Sequence, residues 1–116
     1  MIAVMLPSLD GRRFAPLERA DAGEAGADTV FEYHEDAGVI WARYAGGSVK
    51  LGFLVGTRSG DTLSFRYCHV NDAGETANGT CVSAISADTD GRLVLSEAWR
   101  WESKPGNGTS LLRELR

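Results

Sequence analysis

The sequence predicts an all-β domain, a single up-and-down antiparallel barrel of eight strands. Turn clusters punctuate the chain regularly from Thr29 onward: Glu35-Asp36-Ala37-Gly38, Ala45-Gly46-Gly47-Ser48, Ser59-Gly60-Asp61, Asn71-Asp72-Ala73-Gly74, Thr89-Asp90-Gly91 and Lys104-Pro105-Gly106-Asn107-Gly108. Asp-Gly and Gly-Gly pairs supply the positive φ that tight hairpins demand. Between the clusters apolar residues recur with period two, and no stretch keeps a helical period. Sequential antiparallel strands on short hairpins close most economically as a barrel, because closure removes the sheet edges.

Taken in order, residues 1–11 are a loose lead-in ending at Asp10-Gly11. A short strand follows over Arg13 to Glu18, with Pro16 at an edge or bend. Residues 19–28 are Ala-rich, but two glycines and no apolar stripe make them a flexible loop rather than a helix. The remaining strands are 29–35, 39–45, 49–58, 62–71, 76–88, 92–103 and 109–116. All 116 residues form one domain, long enough to close a core without staples.

Composition narrows the function classes. A net charge of −4 and no Lys/Arg cluster beyond Arg12-Arg13 argue against nucleic acid and anionic membranes. No run approaches the roughly 20 apolar residues of a membrane span. Met1 to Leu6 lacks the basic start and cleavage site of a signal peptide, so the expected compartment is the cytoplasm. Cys68 and Cys81 are then two outward-facing thiols on neighbouring strands, without a disulfide. Nothing resembles a nucleophile elbow, a phosphate loop or a dinucleotide fingerprint, so no cofactor is expected.

The most informative strand is 92–103. Alternation places Leu93, Leu95, Glu97, Trp99 and Trp101 on one face, with Val94, Ser96, Ala98, Arg100 and Glu102 on the other. A carboxyl in the middle of an apolar face must be paired, protonated or turned to a wet cavity. Carrying this parity through the hairpins assigns the lumen. A two-residue Asp90-Gly91 turn sets Glu97 opposite Ala84, Trp99 opposite Val82 and Trp101 opposite Thr80. An even loop at Ala73-Gly74 then puts Phe65, Tyr67 and His69 inside. Strand 49–58 has its apolar set at Val49, Leu51, Phe53 and Val55, which an odd loop at 59–61 or a bulge at Gly52 or Gly56 would turn inward. Two-residue turns at Gly46-Gly47 and Ala37-Gly38 place Ile40, Ala42, Tyr44, Phe31 and Tyr33 inside. Trp41 then points outward beside Arg43.

The resulting lumen holds Tyr33, Tyr44, Phe65, Tyr67, His69, Asn78, Glu97, Trp99, Trp101 and Arg113, the last sharing a face with Leu111 and Leu115. Flat apolar walls with hydrogen-bonding tips make a ligand lining. An eight-stranded barrel is just wide enough to be filled by side chains or to hold one small ligand. Glu97 finds its partner in His69, Arg113 or a tyrosine hydroxyl. With a single histidine inside, a metal site is not expected.

The runs Val39-Ile40-Trp41-Ala42-Arg43-Tyr44-Ala45-Gly46-Gly47, Phe65-Arg66-Tyr67-Cys68-His69-Val70-Asn71 and Asp90-Gly91-Arg92 to Trp99-Arg100-Trp101 resemble a group of short bacterial proteins of about this length. The likeness covers roughly residues 29–103. Such proteins are often labelled N-acetylglutamate synthase, yet this chain has neither the helix nor the Gly-rich loop of the usual acetyltransferase fold. The resemblance implies no catalytic residues. The architecture is calycin-like by analogy with avidin-like and lipocalin-like barrels, which does not imply function.

Three functions fit. The first is a barrel that binds a small, partly apolar or aromatic molecule. The second is an enzyme of the same shape, a cyclase or isomerase using Glu97, His69 and Tyr67 as acid–base groups. The third is a packed module that associates as a homodimer and binds nothing.

Overall fold

Eight strands form where turn chemistry and alternation put them: β1 (Arg13–Pro16), β2 (Val30–Asp36), β3 (Val39–Gly46), β4 (Val49–Ser59), β5 (Thr62–Asn71), β6 (Thr76–Ala87), β7 (Leu93–Trp101) and β8 (Asn107–Glu114). In the computed structural model they pair antiparallel in chain order, and β1 closes on β8 through Phe14↔Glu114, Ala15↔Arg113 and Pro16↔Leu112. Pairing of β1 with β2 covers only Arg13 and Phe14, so Pro16, which has no N–H to donate, lies beyond that ladder. The structure describes residues 6–17, 26 and 28–116. Glu18, the first five residues of the expected lead-in, and all of the expected flexible loop except Gly26 and Asp28 lie outside the described residues.

The described part of the lead-in is not loose. Leu9 is fully buried and caps one end of the barrel. The Arg58 guanidinium, its side chain 1% exposed, holds that cap in place. It donates to Glu35 Oε1 (2.9 Å), to the carbonyls of Leu6 (2.8 Å) and Pro7 (2.9 Å), and to that of Gly60 (2.8 Å). Glu35 Oε1 also accepts from the Leu9 N–H at 3.0 Å. The charge, its counter-charge and its donors are satisfied together, which makes a buried ion pair tolerable.

The parity assignment holds on β2, β3, β5 and β7, reverses on β6 and β8, and on β4 holds only for Val49. Inward residues include Phe31 and Tyr33 on β2, Ile40, Ala42 and Tyr44 on β3, and Phe65 and His69 on β5. Leu93, Leu95, Glu97, Trp99 and Trp101 line β7 as expected. On β6 the inward set is Ala77, Gly79, Cys81, Ser83 and Ile85, so Thr80, Val82, Ala84 and Asn78 lie outside. Glu97 therefore faces Ser83, Trp99 faces Cys81 and Trp101 faces Gly79.

The reason lies in two loops. Val70 pairs with Thr76 and Ala87 with Leu93, leaving residues 71–75 and 88–92 as odd loops. Each opens on a residue whose side chain caps the turn. Asn71 Oδ1 accepts from the N–H groups of Ala73 and Glu75 (3.0 Å each), and Asp88 Oδ1 from those of Asp90 and Arg92 (3.1 Å each). Such Asx turns lengthen the connection beyond the Gly-containing pair. Two parity errors cancel across β6, which is why β5 and β7 are unaffected.

On β4 the outcome also departs from expectation. Ser59 pairs with Thr62 across a two-residue Gly60-Asp61 turn, and a register shift separates Val49 from Leu51. Val49, Gly52 and Leu54 face in, whereas Leu51, Phe53 and Val55 face out. With Trp41, itself outward as expected, they form an apolar outer face; Phe53 is 54% and Val55 60% exposed. A depression of about 460 Å³ there is lined chiefly by Phe53, Val55, Arg66, Cys68, Asn78 and Glu102. The β7–β8 register Glu97↔Ser110 and Leu95↔Leu112 turns Arg113 outward, where it lies 3.6 Å from Asp88.

Arg58→Ala would strand Glu35 and three backbone carbonyls, and we expect it to lower unfolding free energy by about 3–5 kcal/mol. Urea denaturation checks this, and a loss under about 1 kcal/mol would remove Arg58 as the closure of this end.

Candidate functional site

The lumen changes character along β7. Toward the capped end Leu93, Leu95 and Leu112 are 0–1% exposed, whereas Glu97, Trp99 and Trp101 keep 7–9% on the same inward face. One half of the barrel is packed by aliphatic side chains; the other, away from the cap, is lined by aromatic and polar ones.

Aromatic rings build that open half. Phe31 and Tyr44 stack with centroids 4.7 Å apart, and Tyr44 meets His69 edge-on at 5.7 Å. Trp101 touches His69 at 5.8 Å, Tyr67 at 5.6 Å and Trp99 at 5.6 Å. Glycines make room for them. A Cβ at Gly79 would lie 2.5 Å from Tyr67 Oη, and one at Gly108 2.5 Å from Trp99 Cζ2. Gly52 likewise lies under the Tyr44 ring. Tyr67 thus reaches Trp101 across β6 because Gly79 stands between them, not because Thr80 and Val82 do.

Polar groups sit among the rings. Ser110 Oγ donates to Glu97 Oε1 at 3.1 Å, and Tyr44 Oη hydrogen-bonds His69 Nδ1 at 2.9 Å. The expected partners of Glu97 (His69, Arg113 or a tyrosine hydroxyl) are therefore replaced by Ser110, a residue the reversed parity of β8 had hidden. The hydroxyls of Tyr33, Tyr67 and Ser83 are buried without a partner among the described residues. Ser83 is the direct cross-strand neighbour of Glu97.

Burial pushes the Glu97 carboxyl up to about 7, with the Ser110 hydroxyl pulling weakly the other way. Burial also raises the phenols of Tyr33 and Tyr67 and the thiol of Cys81, and the nearby Glu97 charge adds to each. These groups therefore share one low-dielectric region.

Eight of the ten expected lining residues face this lumen: Tyr33, Tyr44, Phe65, Tyr67, His69, Glu97, Trp99 and Trp101. Asn78 and Arg113 do not; the odd loops around β6 turn Asn78 outward and the β7–β8 register does the same to Arg113. Ser83, Cys81 and Ser110 take their places. Cys81 is inward and Cys68 outward, so both thiols are free on opposite faces of the sheet. The sequence signal that locates Ser83 and Cys81 is Asn71 and Asp88 opening the loops on either side of β6. Glu97 and His69 do not form an acid–base pair, since each bonds a different hydroxyl. Among the described residues no cluster of His, Cys, Asp and Glu could hold a metal ion.

A family model described as avidin-like protein matches residues 7–115, which span the whole ladder. Neither the curated proteins nor the solved structures contain a match to the chain.

The raised Glu97 pKa fixes a sign for stability against pH. The folded protein holds a proton that an unfolded carboxyl, at about 4.5, gives up. Stability from this group is therefore full below about 4.5 and falls as pH rises toward 7. Replacing the acid by a neutral amide removes the dependence. We expect the stability of Glu97→Gln relative to the parent to rise by about 3 kcal/mol between pH 4.5 and 8. Urea unfolding of both proteins across that range checks it; parallel curves would mean that Glu97 is solvated.

Proposed function

The chain belongs to the avidin-like protein family, and from that premise we propose that its barrel is a receptor for one small, partly apolar or aromatic molecule held in the open half of the lumen. The observation that carries this reading is the set of buried hydroxyls on Tyr33, Tyr67 and Ser83, unpartnered and gathered with Glu97. An unmet buried polar group costs roughly 1–3 kcal/mol. Three of them beside a buried acid are a poor way to build a structural core and a good way to receive a ligand's polar end. Trp99, Trp101 and Tyr67 supply the wall against which an apolar or aromatic portion stacks.

The enzymatic alternative draws less support, because the Glu97–His69 couple it would use is not made. A packed module that binds nothing would leave the three hydroxyls without purpose.

Tryptophan emission tests the reading directly. Titration with small aromatic and polycyclic compounds should quench or shift it for one compound class, and native mass spectrometry of protein from its own host should carry the bound molecule. Trp101→Ala and Trp99→Ala should abolish that response while keeping the barrel's circular dichroism. In a filled barrel each would instead cost roughly 3–5 kcal/mol of stability, with no compound changing the emission.

The outer face of β3 and β4 supports a homodimer as well. Trp41 pairs with Val55, and Phe53 follows on the same face, a contiguous apolar surface of the kind that marks association sites. Sedimentation should give a dimer for the parent and a monomer for the double variant Phe53→Lys, Val55→Lys; a monomeric parent would refute the dimer.

A further inference from the structure

We propose that the molecule taken up by the barrel is an organic cation, an aromatic or aryl-alkyl amine whose ammonium group sits against Glu97. This rests on the receptor reading and adds the ligand's charge to it. Of the carboxyls on the inward faces of the described strands, Glu35 and Glu114 lie toward the capped end and pair with Arg58 and Arg12, whereas Glu97 pairs with no arginine of the described residues. Among the described residues no cation answers it. The hydrogen bond it receives there comes from Ser110, and Arg58, the arginine buried inside, is spent on Glu35 and the carbonyls of the cap. A buried acid without a counter-charge is what a cationic ligand completes.

The other features around Glu97 have the same sign. The faces of Trp99, Trp101 and Tyr67 carry negative quadrupole charge, and aromatic walls attract ammonium groups. Trp101 already does so within the chain: Lys104 Nζ lies 4.6 Å from its ring centroid. The unpartnered hydroxyls of Ser83, Tyr33 and Tyr67 can each accept an N–H. The protein's net charge of −4 favours the approach of a cation and disfavours an anion. A carboxylate ligand would meet repulsion from Glu97, and a neutral one would leave the acid uncompensated.

The titratable groups that share the lumen with Glu97 are Tyr33 on β2, Tyr44 on β3, Tyr67 and His69 on β5 and Cys81 on β6; β8 contributes Ser110 and, toward the capped end, Glu114, which is bonded to Arg12. Burial keeps the two phenols Tyr33 and Tyr67 and the thiol protonated at neutral pH. His69 is bonded to Tyr44 Oη, and Glu97 is the lumen's carboxyl that exchanges a proton with the ligand's charge. Binding of an ammonium ion expels the proton from the carboxyl to solvent.

Three probes of one ring and three charges test this by calorimetry: tyramine, tyrosol and 4-hydroxyphenylacetate. Tyramine should bind roughly tenfold or more tighter than tyrosol at pH 8, and the acid should bind weakest. Tyramine binding should release about one proton at pH 6 and almost none at pH 8.5, read from buffers of different ionisation heat. In Glu97→Gln the preference for tyramine over tyrosol should vanish while tyrosol binding persists. The parent's preference for tyramine over tyrosol, taken with its proton release, stands as evidence even if that variant folds poorly. Tyrosol or the acid binding as tightly as tyramine overturns the charge assignment and leaves the receptor reading standing. Failure of all three to bind overturns the amine assignment too, and the receptor reading is then judged on tryptophan emission and native mass spectrometry.

Discussion

Closure of the ladder between β1 and β8 is the constraint on which everything else depends. Once the first strand pairs with the last, every strand residue has one of two addresses, lumen or outer surface. An eight-stranded barrel leaves a lumen only about as wide as the side chains that fill it. Large rings can then lie across the interior only where a neighbouring strand gives up its own side chain. Gly52 under Tyr44, Gly79 under Tyr67 and Gly108 under Trp99 are that concession. These glycines are placed by the volume of their partners and not by turn chemistry.

The same constraint divides the lumen into halves with opposite electrostatics. At the capped end Glu35 meets Arg58, whose remaining donors are taken by backbone carbonyls. In the open half Glu97 meets one serine hydroxyl, and three further hydroxyls meet nothing among the described residues. Both halves bury a carboxyl, and only one neutralises it. Strain of this kind persists where a stable framework carries it, and it concentrates where a protein receives something. The filled half supplies that framework: Leu93, Leu95, Leu112, Phe14 and Ile40 pack with almost no exposure.

Much was legible in the sequence because strand alternation and hairpin glycines are local. Eight strands, their order and the inward face of β7 follow from residues within a few positions of one another. Glu97 announced itself the same way, as a carboxyl between Leu95 and Trp99. Eight of the ten expected lining residues fall on the lumen for this reason. What failed was arithmetic carried across loops. Asn71 and Asp88 extend their turns by capping backbone N–H groups, and each extension reverses the parity of the strand beyond it. Asn78 was lost to the outside, and Ser83 and Cys81 gained, through these reversals, while the β7–β8 register turned Arg113 out and Ser110 in.

The sequence by itself therefore determined the fold class, the strand inventory and the presence of an acid on an aromatic wall. Only the tertiary structure decided who faces that acid. Local alternation says that two faces exist, but which face turns inward depends on register, and register is settled by pairing around the whole ring. On β4 the bulkier set of Leu51, Phe53 and Val55 lost the interior to Gly52 and Leu54, because the lumen at that level already held Tyr44 and His69. Hydrophobicity favoured the first set; the volume left inside a closed barrel chose the second.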